Sequence, residues 1–458
     1  LKGLAMSNYY DGLNQKLLAA IPADAKRVLE LGCANGRLGQ RFKELHPGVT
    51  WWGVEMSAEA AATAAQHLDR VIQLDLDRAD LAQLEGGFDT IVIGDLLEHV
   101  RDPARLLESL YDLATADAQI VCCLPNMAHL SVIERLVAGD ISYDSMGLLD
   151  QTHVRFYSPA SAFKTFLDAG WLPSMPDQYR VEAPQTHFAA KIVEAAQLLG
   201  VPMETALRTF GCYQMIIVCR KWDMQALRGS GSAAPISVIV PVNRVWQYEL
   251  NIARSPGLKE IGAEIVTVQG ASSAAAAYTF GTQKARHAWH LIAHQDVYFP
   301  VGSGLALARQ LGALEAAGRT RAPVGFAGLA ASGHGDGSVR HAGLVIDRTT
   351  LFSHRGSDAA LSIDEFAVAL HRDAAVSIDS ELGWHLWATD LCLQAMAGGN
   401  PRDAATILET PLFHNSTTAW SLPEAFNASA QKLLDKYPQL ARIPTLCGEL
   451  QRKTAALA

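Results

Sequence analysis

The sequence predicts two α/β domains in succession, and three observations carry that expectation. Residues 27–222 alternate short apolar runs with helix-patterned stretches, the arrangement of a doubly wound parallel sheet. Residues 223–235 then include Gly229-Ser230-Gly231-Ser232-Ala233-Ala234-Pro235, a small, polar run with the composition of a linker. A fresh strand series opens directly behind it. The expected division is a first domain over 1–228, a linker over 229–235 and a second domain over 236–458. The 458 residues are enough for each domain to bury its own core.

In the first domain, residues 27–31, 51–55, 71–74, 88–94, 119–124 and 215–219 read as strands. The runs at 88–94 and 119–124 are almost wholly apolar, as in strands covered on both faces. Residues 58–68 and 103–114 read as helices, the second with Pro103 in its first turn. In the second domain the strands fall at 236–240, 264–268, 289–293 and 324–328, and the alanine-rich stretch 271–277 starts a helix.

Lys and Arg number 38 against 47 Asp and Glu, a net charge of −9 that gives no global reason to bind nucleic acid or an anionic membrane. No apolar stretch approaches the roughly 18–20 residues of a membrane span. Seven cysteines without a CxxC pair read as buried, reduced thiols. A cytoplasmic protein is expected, with peripheral association at the inner membrane as a variant of that placement. Oligomeric state is not legible.

The chemistry concentrates at predicted strand ends. Glu30-Leu31-Gly32-Cys33-Ala34-Asn35-Gly36 is a strand running into a glycine-bearing turn, where a ligand can approach the main chain. Glu55 closes the second strand, placed to accept ribose hydroxyls. Asp75, followed by Leu76, closes the third and faces an exocyclic amine. Asp95 closes the fourth, beside the reacting group. The spacing of Gly32, Gly36 and Gly39 departs from GxGxxG, which argues against a nicotinamide dinucleotide.

These segments resemble class I S-adenosylmethionine-dependent methyltransferases over about residues 9–222. The likeness rests on Val28-Leu29-Glu30-Leu31-Gly32-Cys33-Ala34-Asn35-Gly36, Gly53-Val54-Glu55, Asp75-Leu76 and Gly94-Asp95-Leu96-Leu97-Glu98-His99-Val100. His153-Val154-Arg155-Phe156-Tyr157-Ser158 adds to it. The resemblance implies S-adenosylmethionine held by Glu30, Gly32, Cys33, Gly36, Glu55, Asp75, Leu76 and Asp95. In-line displacement at a sulfonium methyl needs acceptor orientation and, for a hydroxyl, a base. His99 and His153 are the titratable candidates. Their alternative roles are structural: His99 bonded inside its turn, His153 anchoring the following loop. Glu98 reads as structural.

In the second half, Ile236-Ser237-Val238-Ile239-Val240-Pro241-Val242-Asn243, His294-Gln295-Asp296-Val297 and Thr389-Asp390-Leu391-Cys392-Leu393 resemble family 2 GT-A glycosyltransferases, particularly the streptomycin-biosynthesis type. The resemblance implies a nucleotide-sugar donor near Pro241, Asn243, Gln269, Gln295 and Asp296. It also implies a divalent cation (Mn²⁺ or Mg²⁺) on Asp296 and His414, and Asp390 as the base. His294 replaces the first Asp of Asp-x-Asp, and no aspartate follows the second strand, so an inactive module stays open. Residues 333–341, with His334, Asp336 and His341, read as a loop over the sugar pocket.

The combined expectation is a bifunctional enzyme of bacterial-type glycan biosynthesis. It methylates a sugar hydroxyl on a glycan or glycolipid acceptor and transfers a sugar. The alternatives are an active methyltransferase with a non-catalytic glycan-binding module, or one whose second domain is a scaffold.

Overall fold

The computed structural model describes residues 13–78, 80–81, 84–180, 187–223, 232–332, 338–418 and 421–452. The chain divides into two compact units, Leu1–Asp223 and Met224–Ala458. Gly229, Ser230 and Gly231 of the expected linker, and His334 and Asp336 of the glycine-rich loop, lie outside the described residues.

The first unit is one seven-stranded sheet, β1 (Arg27–Leu31), β2 (Thr50–Glu55), β3 (Arg70–Gln73), β4 (Phe88–Gly94), β5 (Ala114–Pro125), β6 (Trp171–Arg180) and β7 (Cys212–Lys221). Their order is β3-β2-β1-β4-β5-β7-β6, with β1 to β5 parallel and β7 antiparallel to both neighbours. Sequence order reverses between β1 and β4, which opens a crevice at their carboxyl ends. The helices are α1 (Gln15–Ala20), α2 (Arg37–Leu45), α3 (Ala58–Ala64), α4 (Pro103–Leu113), α5 (Leu130–Val137), α6 (Pro159–Asp168), α7 (His187–Leu198) and α8 (Met203–Phe210). Val28, Leu29, Leu31, Ile91, Val92 and Ile93 are fully buried, the reason β1 and β4 read as continuous apolar runs.

Gly39 explains why the glycine spacing looked irregular. A Cβ there would lie 2.5 Å from the Trp51 Nε1, so its absence lets α2 settle on the indole rather than on a phosphate. The structure also adds β6, which carries Pro173 and Pro176 and escaped the strand pattern. Prolines are tolerated because β6 is an edge strand with a register shift between Ser174 and Asp177.

The second unit contains two mixed sheets and a separate two-stranded antiparallel pair. Its strands are β8 (Ile236–Pro241), β9 (Glu264–Val268), β10 (Trp289–Ala293), β11 (Val297–Tyr298), β12 (Val324–Gly325), β13 (Ala327–Ala331) and β14 (Val339–Asp347). They continue with β15 (Thr350–His354), β16 (Ala360–Ile363), β17 (Ala367–His371), β18 (Thr406–Ile407), β19 (Leu412–His414), β20 (Arg442–Thr445) and β21 (Gly448–Gln451). One sheet runs β18-β12-β17-β10-β8-β9 and the other β11-β19-β14-β13-β16, with β15 on β14. The helices are α9 (Val245–Leu250), α10 (Pro256–Glu260), α11 (Ala274–Thr282), α12 (Ser303–Ala316), α13 (Trp387–Ala397) and α14 (Glu424–Lys436). The expected strand 324–328 is two strands, because the chain leaves one sheet at Phe326 and enters the other.

All seven cysteines are free, and all but Cys447 are buried. Among the described residues no helix is long and apolar enough to cross a membrane.

Asp390 corrects an expectation. It lies in the first turn of α13 with 0% exposure, and it neither caps the helix nor faces an open site. Its oxygens accept from Tyr437 Oη (2.7 Å), Lys436 Nζ (2.9 Å) and Gln394 Nε2 (2.6 Å). A carboxylate so engaged pins α13 to α14 and has no geometry for taking a proton from an acceptor. Replacing Asp390 with Ala leaves the Tyr437 hydroxyl without its acceptor, while Lys436 keeps Asp379 at 2.6 Å, and is expected to cost about 1–3 kcal/mol. A shift in the urea midpoint under about 0.5 kcal/mol equivalent would count against this structural role.

Candidate functional site

The carboxyl edge of the first sheet is organised by one carboxylate. Glu55, at the end of β2 and buried, accepts the Ala34 N–H at Oε2 (3.0 Å) and the Ser57 N–H at Oε1 (2.8 Å). It thereby joins the β1–α2 turn to the β2–α3 turn. An ionised carboxylate has about four lone-pair sites, so two remain for hydroxyl donors. Gly32 (φ 68°), Ala34 (φ 47°) and Gly36 (φ 75°) give the first turn its left-handed path, which glycine adopts freely and alanine at a cost.

Other expected cofactor residues face elsewhere. Glu30 is turned inward, where Oε2 accepts the Trp51 Nε1–H at 2.8 Å. Burial, partly offset by that bond and reinforced by Glu55, raises its pKa to about 8. Cys33 is buried, burial raises its thiol pKa, and its backbone N–H is taken by the Val54 carbonyl at 3.0 Å. Both side chains are buried at the β1–α2 turn. Asp75 lies two residues past the end of β3, in a turn where Oδ1 accepts the Asp77 N–H at 3.0 Å. Leu76 lines a cavity of about 50 Å³ with Asp77, Leu81 and Asp102.

Asp95 follows β4 with a positive φ of 47°, and its Oδ1 accepts Gln214 Nε2–H at 2.7 Å. Beyond it the 3₁₀ turn Leu97–His99 places three groups together: the ligand-capable atoms of Glu98, His99 and His153 lie within 4.8 Å of one another. The Glu98 carbonyl accepts the N–H groups of Val154 (2.8 Å) and Arg155 (3.0 Å), which brings the 150–157 segment to β4. His99 Nδ1–H donates to the Thr152 carbonyl (3.2 Å) and His153 Nδ1–H to the Leu148 carbonyl (3.1 Å). Carbonyls only accept, so these contacts fix the tautomers and leave each Nε2 lone pair free to take a proton or a metal. Burial, and then the His99 charge, lower the His153 pKa, keeping it neutral at neutral pH. Glu98 is 1% exposed, and its Oε2 has no hydrogen-bond partner among the described residues. Burial and the Asp95 charge raise its pKa. Sequence reasoning treated Glu98 as scaffolding; its signal was three neighbouring polar groups after one strand.

In the second unit the corresponding place is the β10–β11 junction, where the chain passes from one sheet to the other. His294, Asp296 and His414 bring ligand-capable atoms within 4.8 Å. Strand register brings up a fourth residue: His414 is paired with Val297 on one side and Asp347 on the other. His414 Nδ1 lies 2.9 Å from Asp347 Oδ1, and Nε2 lies 3.5 Å from Asp296 Oδ1. Burial alone would lower the His414 pKa, but Asp296 and then Asp347 raise it to about 10. Glu365, just before the Phe366 whose carbonyl takes the His294 N–H, has its pKa raised by burial and Asp364 to about 8. Neither Asp347 nor Glu365 was visible in the sequence.

Gln295 is a correction. Gln295 Oε1 accepts the N–H groups of Asn243 (3.0 Å) and Arg244 (2.9 Å), while Nε2–H donates to Asn243 Oδ1 (2.6 Å) and Gln247 Oε1 (3.0 Å). With all four capacities used, the Gln295 amide is a strut between the β8 and β10 ends, not a ligand contact. Pro241 ends β8, and Gln269 stands exposed just past β9.

Comparison with known proteins bears on the first unit. A family described as "Methyltransferase domain" matches residues 29–120. A ubiquinone biosynthesis O-methyltransferase of Psychrobacter arcticus is 24% identical over 169 residues, covering 35% of this chain and 65% of that protein. The enzyme of the same name from Neisseria meningitidis is 25% identical over 151 residues, 32% of this chain and 63% of its own length. The chain thus spans a little under two-thirds of these relatives. Among solved structures, a SAM-dependent methyltransferase from Archaeoglobus fulgidus is 16% identical, with a TM-score of 0.34, and covers 48% of this chain and 99% of its own. The first unit carries a methyltransferase domain of the S-adenosylmethionine-dependent type, on a Rossmann-like sheet.

Glu30 yields a pH prediction. Its folded pKa of about 8 lies above the ordinary 4.5, so the burial of its neutral form contributes fully below pH 4.5 and is lost as pH rises through 8. Between those limits the ligand-free melting temperature should fall more steeply in the wild type than in Glu30→Gln. Parallel melting profiles for the two proteins would exclude the raised pKa.

Proposed function

We propose that the first unit transfers the methyl group of S-adenosylmethionine to a hydroxyl oxygen of its acceptor, with His99 or His153 receiving the proton. The observation that carries this reading is the pairing of two imidazoles whose Nδ1–H groups are both tied to carbonyls. Each offers a bare Nε2 beside Asp95, at the edge where Glu55 organises the cofactor turn. The carbon–sulfur bond breaks as the oxygen–carbon bond forms, and S-adenosylhomocysteine departs. The names of the two relatives described above, both O-methyltransferases, support oxygen as the acceptor atom. Val154 and Phe156, exposed on either side of Arg155 and adjoining His153, suit an acceptor with an apolar body, such as a glycolipid.

A second reading of the same cluster is favoured by the unpartnered Glu98 Oε2. Here Glu98, His99 and His153 hold a divalent cation that lowers the pKa of the bound hydroxyl. Treatment with EDTA separates the two: activity that survives it belongs to direct proton transfer.

For the second unit we propose glycosyl transfer from a nucleotide-sugar, with a divalent cation at Asp296 and His414 neutralising the diphosphate. The placement of these groups just beyond the carboxyl ends of the parallel strands β8 and β10 supports it.

S-adenosylhomocysteine at 100 times its Kd should stabilise the protein by about 2.7 kcal/mol, and Glu55→Ala should abolish that stabilisation. The double variant His99→Ala/His153→Ala should retain binding and lose about 10²-fold or more in kcat. Absence of any stabilisation by the product would refute the assignment.

A further inference from the structure

We propose that Asp150 is a positioning residue for His99: it holds the Thr152 carbonyl in the orientation that keeps the His99 proton on Nδ1. This rests on the reading that an imidazole of the first unit takes the acceptor's proton. It adds to that reading a side chain that acts on His99 through the main chain.

The two imidazoles are held by different means. His153 Nδ1–H donates to the Leu148 carbonyl at 3.1 Å. Leu148 and Leu149 are buried with Val132 in one apolar cluster, with the partly buried Met127 and Tyr213 packed against it. Packing therefore keeps that carbonyl in place. His99 Nδ1–H donates instead to the Thr152 carbonyl at 3.2 Å, and Thr152 is exposed. Its orientation has to come from hydrogen bonds.

Asp150 makes three of them. Its Oδ1 accepts the Thr152 N–H at 2.8 Å and the Thr152 hydroxyl at 2.6 Å. A carboxylate bonded to the N–H two residues on closes an Asx turn and restrains the backbone between them. The Asp150 carbonyl accepts the His153 N–H at 3.0 Å. That N–H and the Thr152 carbonyl belong to one trans peptide plane and point in opposite directions. Anchoring the first on Asp150 aims the second at His99.

Asp150 is itself firmly placed. It is 7% exposed, and its N–H donates to the Gly147 carbonyl at 3.1 Å. Gly147 has φ of 91°, a left-handed conformation that glycine adopts freely. On either side the Asp144 N–H donates to the Leu149 carbonyl (2.8 Å) and the Gln151 N–H to the Asp144 carbonyl (3.0 Å). Arg135 of α5 pairs with Asp144 at 2.5 Å and ties the loop to the helix. The His153 ring stands edge-on to His99, with centroids 4.9 Å apart and planes at 67°.

The tautomer decides what His99 can do. With the proton on Nδ1, Nε2 carries the lone pair that receives a proton; with the proton on Nε2, that atom can only donate. Asp150 thus selects the basic nitrogen of His99.

The test is long-range proton–nitrogen NMR on the full chain carrying ¹⁵N-histidine, above about pH 7.5, where an ordinary imidazole is neutral. His99→Gln and His153→Gln assign the two rings. In the wild type both should be Nδ1–H tautomers. Asp150→Ala, and Asp150→Leu as a replacement of similar volume, should lower the Nδ1–H to Nε2–H ratio of His99 about fivefold or more, the worth of one neutral hydrogen bond. His153 should keep its tautomer. Asp150→Asn, whose amide oxygen still accepts from Thr152, should restore the wild-type ratio. All variants are compared at a temperature where circular dichroism shows them folded.

A His99 tautomer unchanged in both Asp150→Ala and Asp150→Leu would overturn the positioning role. Equal shifts at His99 and His153 would overturn its selectivity and leave Asp150 as general scaffolding of the loop. Failure of Asp150→Asn to restore the ratio would overturn the role of the accepting oxygen. If His99 responds as stated but His99→Ala/His153→Ala transfers methyl groups at the wild-type rate, proton transfer to an imidazole fails and the positioning of the ring stands.

Discussion

The Glu55 carboxylate is the contact on which the first unit's working edge depends. Parallel strands end with main-chain groups that have run out of ladder partners, and two adjacent turns must leave the sheet there without collapsing into it. Glu55 takes one N–H from each turn, at Ala34 and at Ser57. Both of those donors are main-chain groups. The acidic character of the chain has a local counterpart in this arrangement.

Strain tells the same story in both units. Among the described residues, the non-glycine positions with positive φ are Ala34, Asp95, Arg348 and Leu386. Ala34 donates to Glu55, and Asp95 stands before the Glu98–His99 turn. Arg348 grips the carboxylate behind His414, and Leu386 precedes α13. At least three of the four thus fall at a candidate site. Such conformations persist only where surrounding contacts over-determine them. The register pairing of β14 with β19 is one such contact, and the Gln295 strut between β8 and β10 is another.

Much of this was legible in the sequence. The strands at 27–31, 88–94, 264–268 and 289–293 match the structure residue for residue; all but 264–268 are largely buried runs. Polar residues just past the strands 88–94 and 289–293 singled out Asp95, His99 and Asp296. The misassignments share one physical cause. Asp390 and Gln295 are polar residues in suggestive places, but their partners arrive from elsewhere in the chain: Lys436 and Tyr437 for the first, Asn243 and Gln247 for the second. Asp347 escaped notice for the converse reason. Its role depends on the pairing of β14 with β19, which no local pattern encodes. The edge strand β6 was hidden by its own prolines.

Those prolines have a consequence for the protein in crowded solution. An edge strand offers unpaired main-chain groups to any extended segment that collides with it, and this is how sheets recruit strangers. Pro173 and Pro176 remove two N–H donors from β6, and the register shift between Ser174 and Asp177 breaks the straight line a docking strand would follow. At the opposite edge, β3 is only four residues long and begins with Arg70. The first sheet thus ends on both sides in strands that make poor templates, a built-in resistance to aggregation.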